Sequence, residues 1–170
     1  TVLADDPLLP ARLCSGGGRD PDRIVVDAKG IMPADCRVIN PRSPARVILA
    51  TTSLIDGERR RLLEELGVRV IKADGSDGRV NLGALMDELY KMEIDSVLLE
   101  GGGELNASAL DSGIVDKVMF FIAPKIIGGR DATTPVEGVG RYFMKDALKL
   151  EDMTVQTSGR DMLVQGYVVR

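Results

Sequence analysis

Short apolar runs alternate with helical patterns through the middle of the chain, and this alternation constrains the fold more than any other feature. The apolar runs predict buried strands at 23–27, 45–50, 68–72 and 95–99. Before the last of them, apolar residues recur at i, i+3, i+4 and i+7, as Leu82, Leu85, Met86 and Leu89. This spacing predicts a helix that begins after Asn81. Strands that alternate with helices favour a largely parallel sheet.

The last third of the chain has a different pattern. A strand is predicted at 117–123 and ends at Pro124. Residues 148–157 and 161–169 alternate apolar and polar side chains around a Ser-Gly-Arg turn, which is typical of an antiparallel hairpin. The sequence therefore predicts an α/β fold with a mixed, mostly parallel sheet and a C-terminal antiparallel hairpin. A length of 170 residues fits a single domain over 1–170.

Composition excludes several functional classes. A net charge of −4 and only 4% aromatic residues argue against a nucleic-acid partner. No apolar run approaches the roughly 18 residues that span a membrane, so no membrane partner is expected. With two cysteines and no histidine, a Cys/His zinc site and Ser-His-Asp or Cys-His catalysis are excluded within this chain. Nothing in the sequence indicates secretion, and we expect a cytoplasmic protein without a bound metal.

Residues 96–110, SVLLEGGGELNASAL, carry the strongest functional signal. The predicted strand is followed by Glu100, then by three glycines, and a helical pattern begins near Glu104. A helix that starts after a glycine turn presents bare backbone N–H groups to an anion such as a pyrophosphate. The turn is not G-x-G-x-x-G, because Asn106 holds the last glycine position, and it is not a Walker A loop. A tight connection that binds nothing is the alternative.

Several polar residues have two interpretations. Glu100 is either a solvated strand end or a carboxylate beside the crevice where open α/β sheets bind ligands. Asp5 fits an acidic turn before Pro7, and Arg12 fits a surface charge. The hydroxyl residues at 51–53 fit a loop at a strand end, where they can also bind a phosphate.

Segments along the chain together resemble a known family. They are TVLADDPLLPARL, RIVVDAKGIMPADCRVI, SVLLEGGGELNASAL and VMFFIAPKIIGG, in this order. They are similar to the reductase domain of riboflavin biosynthesis, which is the carboxyl-terminal half of a bacterial bifunctional deaminase–reductase and a separate enzyme in archaea and fungi. The resemblance implies a dihydrofolate-reductase-like three-layer fold and NADPH as the hydride donor. It also implies a phosphoribosylamino-pyrimidine substrate, 5-amino-6-(5-phosphoribosylamino)uracil, whose ribose is reduced at C1 to a ribityl chain.

The resemblance also implies roles for individual residues. Thr1 and Asp5 would contact the cofactor. Leu9 and Arg12 would contact the substrate, with Arg12 as a clamp on its phosphate. Glu100 would hydrogen-bond the substrate, and Glu100 and Asp5 are the candidate catalytic residues. The residues that would hold the cofactor's pyrophosphate are Gly102, Gly103, Glu104, Leu105, Asn106, Ala107 and Ser108.

Ala28 belongs to the same cofactor-binding set by resemblance. The family often has serine there, so a side-chain hydrogen bond would be lost in this chain. We further hypothesise that Thr52 and Ser53 help to hold the 2′-phosphate of the adenosine ribose. A test is the double alanine substitution, which should change the preference between NADPH and NADH.

The family begins this domain with a strand and a helix ahead of the segment that matches 1–7, and we expect residues 1–170 to lack both. Family analogy suggests a homodimer and a fusion to an upstream deaminase domain. Three readings stay open beside the uracil reductase: an archaeal or fungal type of reductase acting on the 2,5-diamino pyrimidinone, a non-catalytic nucleotide-binding or assembly module, and a different doubly wound nucleotide-binding enzyme.

Overall fold

The fold was analysed in a computed structural model that describes residues 2–11, 18–39 and 43–170. It divides into two compact units, Thr1–Val97 (unit 1) and Leu98–Arg170 (unit 2). The expected fold class is confirmed, since parallel strands come first and an antiparallel hairpin comes last. In the described ranges, none of the helices has the length and apolar character needed to cross a membrane.

Unit 1 is built on a parallel sheet with the strand order β1-β2-β3. Its elements are α1 Val2–Asp5, β1 Arg23–Val26, β2 Val47–Thr51, α2 Gly57–Glu65, β3 Val68–Lys72 and α3 Leu82–Lys91. All five residues of the central strand β2 are buried. Strands covered on both faces need such an apolar run, because neither face meets water.

The core of unit 1 joins the sheet to its neighbouring loops and helices. Its buried cluster comprises Val25, Met32, Cys36, Val38, Val47, Leu49, Ile55, Leu63 and Val68. Leu49 and Leu63 are fully buried, at 0% exposure each. Full burial of one such side chain contributes about 1.5–3 kcal/mol. The sheet is therefore held by aliphatic packing, as a chain poor in aromatic residues requires.

Side-chain caps fix the helices of unit 1. The Asp56 carboxylate accepts hydrogen bonds from the first-turn amides of α2, and the Asn81 side chain accepts one from Ala84 N at 3.0 Å, as predicted. Gly67 follows α2 with φ of +83°, a conformation that suits glycine. The α3 stripe is confirmed, with three buried leucines, but in α2 only Leu63 is buried. Leu62 and Leu66, near the end of the same helix, are both more than 40% exposed.

Unit 2 contains one helix and an antiparallel sheet with the order β4-β6-β5. Its elements are α4 Gly103–Asp111, β4 Lys117–Ile122, a 3-10 turn Met144–Asp146, β5 Leu150–Ser158 and β6 Asp161–Val168. The predicted hairpin is confirmed, with Ser158 paired to Asp161 at the turn. A register shift between Glu151 and Thr154 interrupts its ladder.

Two expectations need correction. Residues 95–99 form no strand, and they are exposed, so the prediction of a buried strand before the glycine turn was wrong. A strand needs a hydrogen-bonded neighbour, and no described residue pairs with this segment. In place of one mixed sheet, the described strands form one parallel and one antiparallel sheet, because each strand pairs only within its own set.

Candidate functional site

The carboxyl ends of β1 and β2 are tied together in unit 1 by a single carbonyl group. Ala28 O accepts hydrogen bonds from Thr51 Oγ1 at 3.1 Å, from Thr52 Oγ1 at 2.7 Å and from Thr52 N at 3.2 Å. Thr52 Oγ1 in turn accepts from Leu54 N at 3.1 Å. Both threonines are buried. Their hydroxyl hydrogens are therefore committed to the sheet edge, and they hold Ala28 in place.

The loop that carries Ala28 is held by the side chain that ends β1. The Asp27 carboxylate accepts from the backbone N–H groups of Lys29, Gly30 and Met32, at 3.2, 3.0 and 2.7 Å. Gly30 has φ of +66°, and a Cβ there would lie 2.5 Å from Ile55 Cδ1. The loop thus needs glycine at this position for its backbone conformation and for its packing.

Ser53 is bound by an acidic residue from the neighbouring strand end. Asp74 follows β3, and its two carboxylate oxygens accept from Ser53 N at 2.6 Å and from Ser53 Oγ at 2.8 Å. These bonds hold the pKa of Asp74 below its usual range, since they favour the charged carboxylate. The turn after Asp74 is closed by Gly75 N, which donates to Arg79 O at 2.9 Å. A 2′-phosphate bound by Thr52 and Ser53 would therefore have to compete with the hydrogen bonds that these residues already make.

In unit 2, the N-terminus of α4 presents uncapped backbone. Gly102 is the N-cap residue, and within this unit no side chain caps the helix. Gly102 is exposed, and no atom lies within 4 Å of the position that a Cβ would take there. Open space beside a helix N-terminus suits an anionic group, because the dipole and the N–H groups both favour negative charge. These residues fit the pyrophosphate of a dinucleotide.

Packing within unit 2 explains why both residues beside Gly102 are glycine. A Cβ at Gly101 would lie 2.8 Å from Leu105 Cδ2. A Cβ at Gly103 would lie 2.8 Å from Thr134 O, and Gly103 O accepts from Glu137 N at 3.1 Å. Internal packing therefore explains Gly101 and Gly103, and only Gly102 leaves space that the protein itself does not fill.

The remaining predicted pyrophosphate residues mainly support α4. Asn106 Nδ2 donates to Pro135 O at 2.8 Å and to Gly101 O at 3.4 Å, which ties the helix to the following loop. Ala107 is buried. Ser108 Oγ donates to Glu104 O at 2.9 Å, inside the helix. The side chains of Asn106 and Ser108 thus position the turn, and its backbone is what remains for a ligand.

Glu100 precedes this turn and is exposed. In the chain as described, its carboxylate has no hydrogen-bond or ion-pair partner. Because no strand precedes it, the carboxylate is not fixed by a sheet edge as the sequence suggested. Its side chain is free to meet a polar ligand.

The predicted residues near the N-terminus are only partly described. Asp5 is exposed at the end of α1, and Leu9 is half-buried against the core cluster of unit 1 with φ of +49°. The neighbouring Asp6 carboxylate accepts from Arg37 N at 2.7 Å, which fixes this segment to the loop after β1. Thr1 and Arg12 lie outside the described residues.

Within unit 1 the structure brings together Ala28, Thr52 and Ser53, and within unit 2 it brings together Glu100 and the glycine turn. Asp74, whose carboxylate binds Ser53, was not among the residues predicted from the sequence. A usable signal was present, because polar residues that follow parallel strands lie at the edge where open α/β sheets bind ligands. Among the described residues there is no cluster of three or more Cys, Asp or Glu side chains suited to a metal ion.

Comparison with known sequences finds a matching family model and relatives that are 40% and 41% identical to this chain. A family model described as RibD C-terminal domain matches residues 1–164. The riboflavin biosynthesis protein RibD of Actinobacillus pleuropneumoniae is 41% identical over 169 residues, which are 99% of this chain and 44% of that protein. The 2,5-diamino-6-ribosylamino-4(3H)-pyrimidinone 5′-phosphate reductase of Methanothermobacter thermautotrophicus is 40% identical over 171 residues, covering 100% of this chain and 76% of that protein.

A solved structure shares the fold. Acinetobacter baumannii RibD, form 2, superposes with a TM-score of 0.81 at 21% identity, over 99% of this chain and 44% of that chain. The chain therefore spans less than half of both RibD proteins and about three quarters of the archaeal reductase.

Proposed function

Because this chain belongs to the RibD C-terminal domain family, we propose that it is an NADPH-dependent reductase of riboflavin biosynthesis. Its substrate is 5-amino-6-(5-phosphoribosylamino)uracil, whose ribose is reduced to the ribityl form. The relative from Methanothermobacter is named a reductase of the 2,5-diamino pyrimidinone, which keeps that compound as the second substrate to test. We expect the reaction in the cytoplasm.

The observation that carries the proposal is the open N-terminus of α4. Gly102 leaves unfilled space beside uncapped backbone, where the pyrophosphate of the cofactor fits. Gly103 and Leu105 belong to the first turn of the helix, where backbone N–H groups are directed toward its N-terminal end. When bound, the reduced nicotinamide supplies the hydride.

The chain's own residues bind and orient the substrate. We propose that Glu100 hydrogen-bonds the substrate beside the glycine turn, since its carboxylate is exposed and without a protein partner. Asp5 is exposed and carries the second proposed carboxylate. Leu9 and Arg12 are assigned to the substrate by family resemblance, and Thr1 and Ala28 to the cofactor. In this assignment the protein residues position the substrate and the cofactor, and such positioning is a large part of catalysis in hydride transfer.

The test is the steady-state oxidation of NADPH with each of the two pyrimidine substrates. Glu100→Gln should lower turnover by about ten- to a hundredfold while the Kd for NADPH stays similar, since the change removes a substrate contact. Glu65→Gln, an exposed glutamate in α2, is the matched control and should behave as the wild type. Unaltered turnover in Glu100→Gln would remove this residue from the mechanism.

A non-catalytic nucleotide-binding module is the second candidate. It is favoured by residues 95–100, which are exposed and form no strand, so that no described element fixes Glu100. The same assay separates the two functions. Saturable binding of NADPH without oxidation by either substrate supports the module and contradicts the reductase.

We also propose that the chain forms a homodimer through one face of the antiparallel sheet. The cross-strand register places only apolar side chains in its central row, from Phe120 to Val164 to Val155. Val155 is 65% exposed, and beside this row Met162 and Ile122 are 47% and 48% exposed. Such a contiguous apolar face is rare on a monomer surface, and a second copy covers it by two-fold symmetry.

Sedimentation at several concentrations tests the dimer. The wild type should be dimeric, and Val155→Lys should be monomeric with an unchanged circular dichroism spectrum, which shows that the fold is kept. A wild type that stays monomeric contradicts the proposal.

Some bifunctional members of the family carry a deaminase domain, and we propose such a partner domain upstream of this one.

A further inference from the structure

We infer that Asp74 weakens the preference of the cofactor site for NADPH over NADH, so that NADH also serves as a hydride donor. The inference rests on the proposed function, because it concerns the adenosine end of the cofactor proposed there. It assigns a specificity role to the residue that closes the carboxyl edge of the parallel sheet in unit 1.

The first observation is the position of Asp74. Open α/β sheets bind ligands outside the carboxyl ends of their parallel strands. At this edge Ala28, assigned to the cofactor by resemblance, is hydrogen-bonded to Thr52, and Asp74 is bound to the next residue, Ser53. Both Ser53 and Asp74 are exposed, so a ligand at this edge can reach them.

The second observation is that the hydroxyl and amide donors of Thr52 and Ser53 are already used. Ser53 offers one N–H and one O–H, and both donate to Asp74, at 2.6 and 2.8 Å. The Thr52 hydroxyl donates to Ala28 O at 2.7 Å. A phosphate can gain these donors only by displacing a carboxylate or a carbonyl, which leaves that acceptor without its partner.

The third observation is charge. Two hydrogen bonds from Ser53 stabilise the ionised form of Asp74, so the group is a carboxylate at neutral pH. A carboxylate has about four lone-pair sites, and Ser53 uses two of them. The others can accept hydrogen bonds from the ribose 2′- and 3′-hydroxyls of NADH. A 2′-phosphate brings negative charge against the same carboxylate, which is unfavourable.

The test compares Asp74→Asn with Asp77→Asn. Asp77 lies in the turn that follows Asp74, and its substitution by asparagine removes the same charge. Its partner is Arg79 and not Ser53. The affinities for 5′-AMP and 2′,5′-ADP are measured by titration calorimetry, because these fragments carry the ribose without the nicotinamide. The ratio of kcat/KM for NADPH and NADH is measured alongside them.

The wild type should bind 5′-AMP and 2′,5′-ADP within about tenfold of each other, and Asp74→Asn should favour 2′,5′-ADP by about a further tenfold. Asp77→Asn should leave the ratio unchanged. A ratio unaffected by Asp74→Asn, or changed equally by both variants, overturns the inference while the proposed reductase stands. Failure of the wild type to bind either fragment or either dinucleotide overturns the proposed cofactor and the inference together.

Discussion

The two units treat their apolar residues in opposite ways. In unit 1 the central strand β2 is buried at every position and a continuous cluster packs around it. In unit 2 every residue of β5 after Leu150 is exposed, and Ile126, Tyr142 and Met144 are each at least 90% exposed. A core within unit 1 therefore stabilises the parallel sheet, whereas the antiparallel sheet keeps apolar surface for contacts beyond its own strands.

The polar residues of the two units show a similar contrast. At the sheet edge of unit 1, threonine, serine and aspartate side chains bind one another and hold the strand ends in a fixed arrangement. At the α4 turn of unit 2, Gly102 leaves backbone and space uncovered. We interpret the first part as an ordered strand edge held by its own side chains, and the second as a set of backbone donors open to an anionic group.

The largest expected effect is loss of core packing in unit 1. Leu63→Ala removes a side chain with 0% exposure and should lower the free energy of unfolding by about 2–5 kcal/mol. Val139→Ala, in unit 2, is the matched aliphatic control, because Val139 is fully exposed. Denaturant unfolding followed by circular dichroism measures both. Equal losses in the two variants would break the contrast between the units.

The next effect separates the glycines of the α4 turn. Gly103→Ala should cost about 1–3 kcal/mol, because its Cβ overlaps backbone and forces a shift. Gly102→Ala should cost less than about 1 kcal/mol but weaken dinucleotide binding, since its Cβ enters the open space. Unfolding and NADPH titration of both variants are the measurements. Normal NADPH affinity in Gly102→Ala would argue that the space holds no ligand.

A smaller effect compares two threonine hydroxyls. Thr52→Val removes a buried hydroxyl bound to Ala28 O and should cost about 1 kcal/mol. Thr134→Val removes an exposed hydroxyl bound to Val136 O at 2.9 Å in unit 2, and its cost should be close to zero. Thermal unfolding of the two variants provides the comparison. A larger loss of stability for Thr134→Val than for Thr52→Val would contradict the contribution assigned to the Thr52 hydroxyl.

The smallest expected effect is a pH dependence at Asp74. Its pKa is lowered in the folded protein by the hydrogen bonds from Ser53. The stabilisation is therefore complete above the unfolded pKa of about 3.9 and is lost as the pH falls through the lower folded pKa. Asp74→Asn should flatten this part of the acid unfolding curve, and Asp77→Asn should not. Identical curves for Asp74→Asn and the wild type would contradict this assignment.

Local signals in the sequence were sufficient for most elements. Strand β3 coincides with its predicted range, and α3 begins after the predicted cap Asn81, because apolar periodicity and capping act within a few residues. The predicted strand at 95–99 has the same local character, yet it is absent. Strand formation depends on a partner that lies elsewhere in the chain, and a local pattern does not show whether that partner is present.

The site was predictable to a similar degree. The glycine turn and α4 follow from local sequence, and so does the exposed Glu100. The contact between Ser53 and Asp74 spans 21 residues and arises only from the register of β2 and β3. The reasons for Gly103 and Asn106 lie in the loop at 134–137, which no periodicity linked to the helix.

The proposed function depends on binding of the pyrophosphate of a reduced nicotinamide dinucleotide at the α4 turn. This binding can be measured in the backbone amide spectrum of the isotope-labelled chain during titration with NADPH. The amide signals of Gly102 and Gly103 should shift and saturate with the dinucleotide, while that of Gly159 in the hairpin turn should not move. Unshifted signals for Gly102 and Gly103 at saturating NADPH would show that this turn does not bind the pyrophosphate.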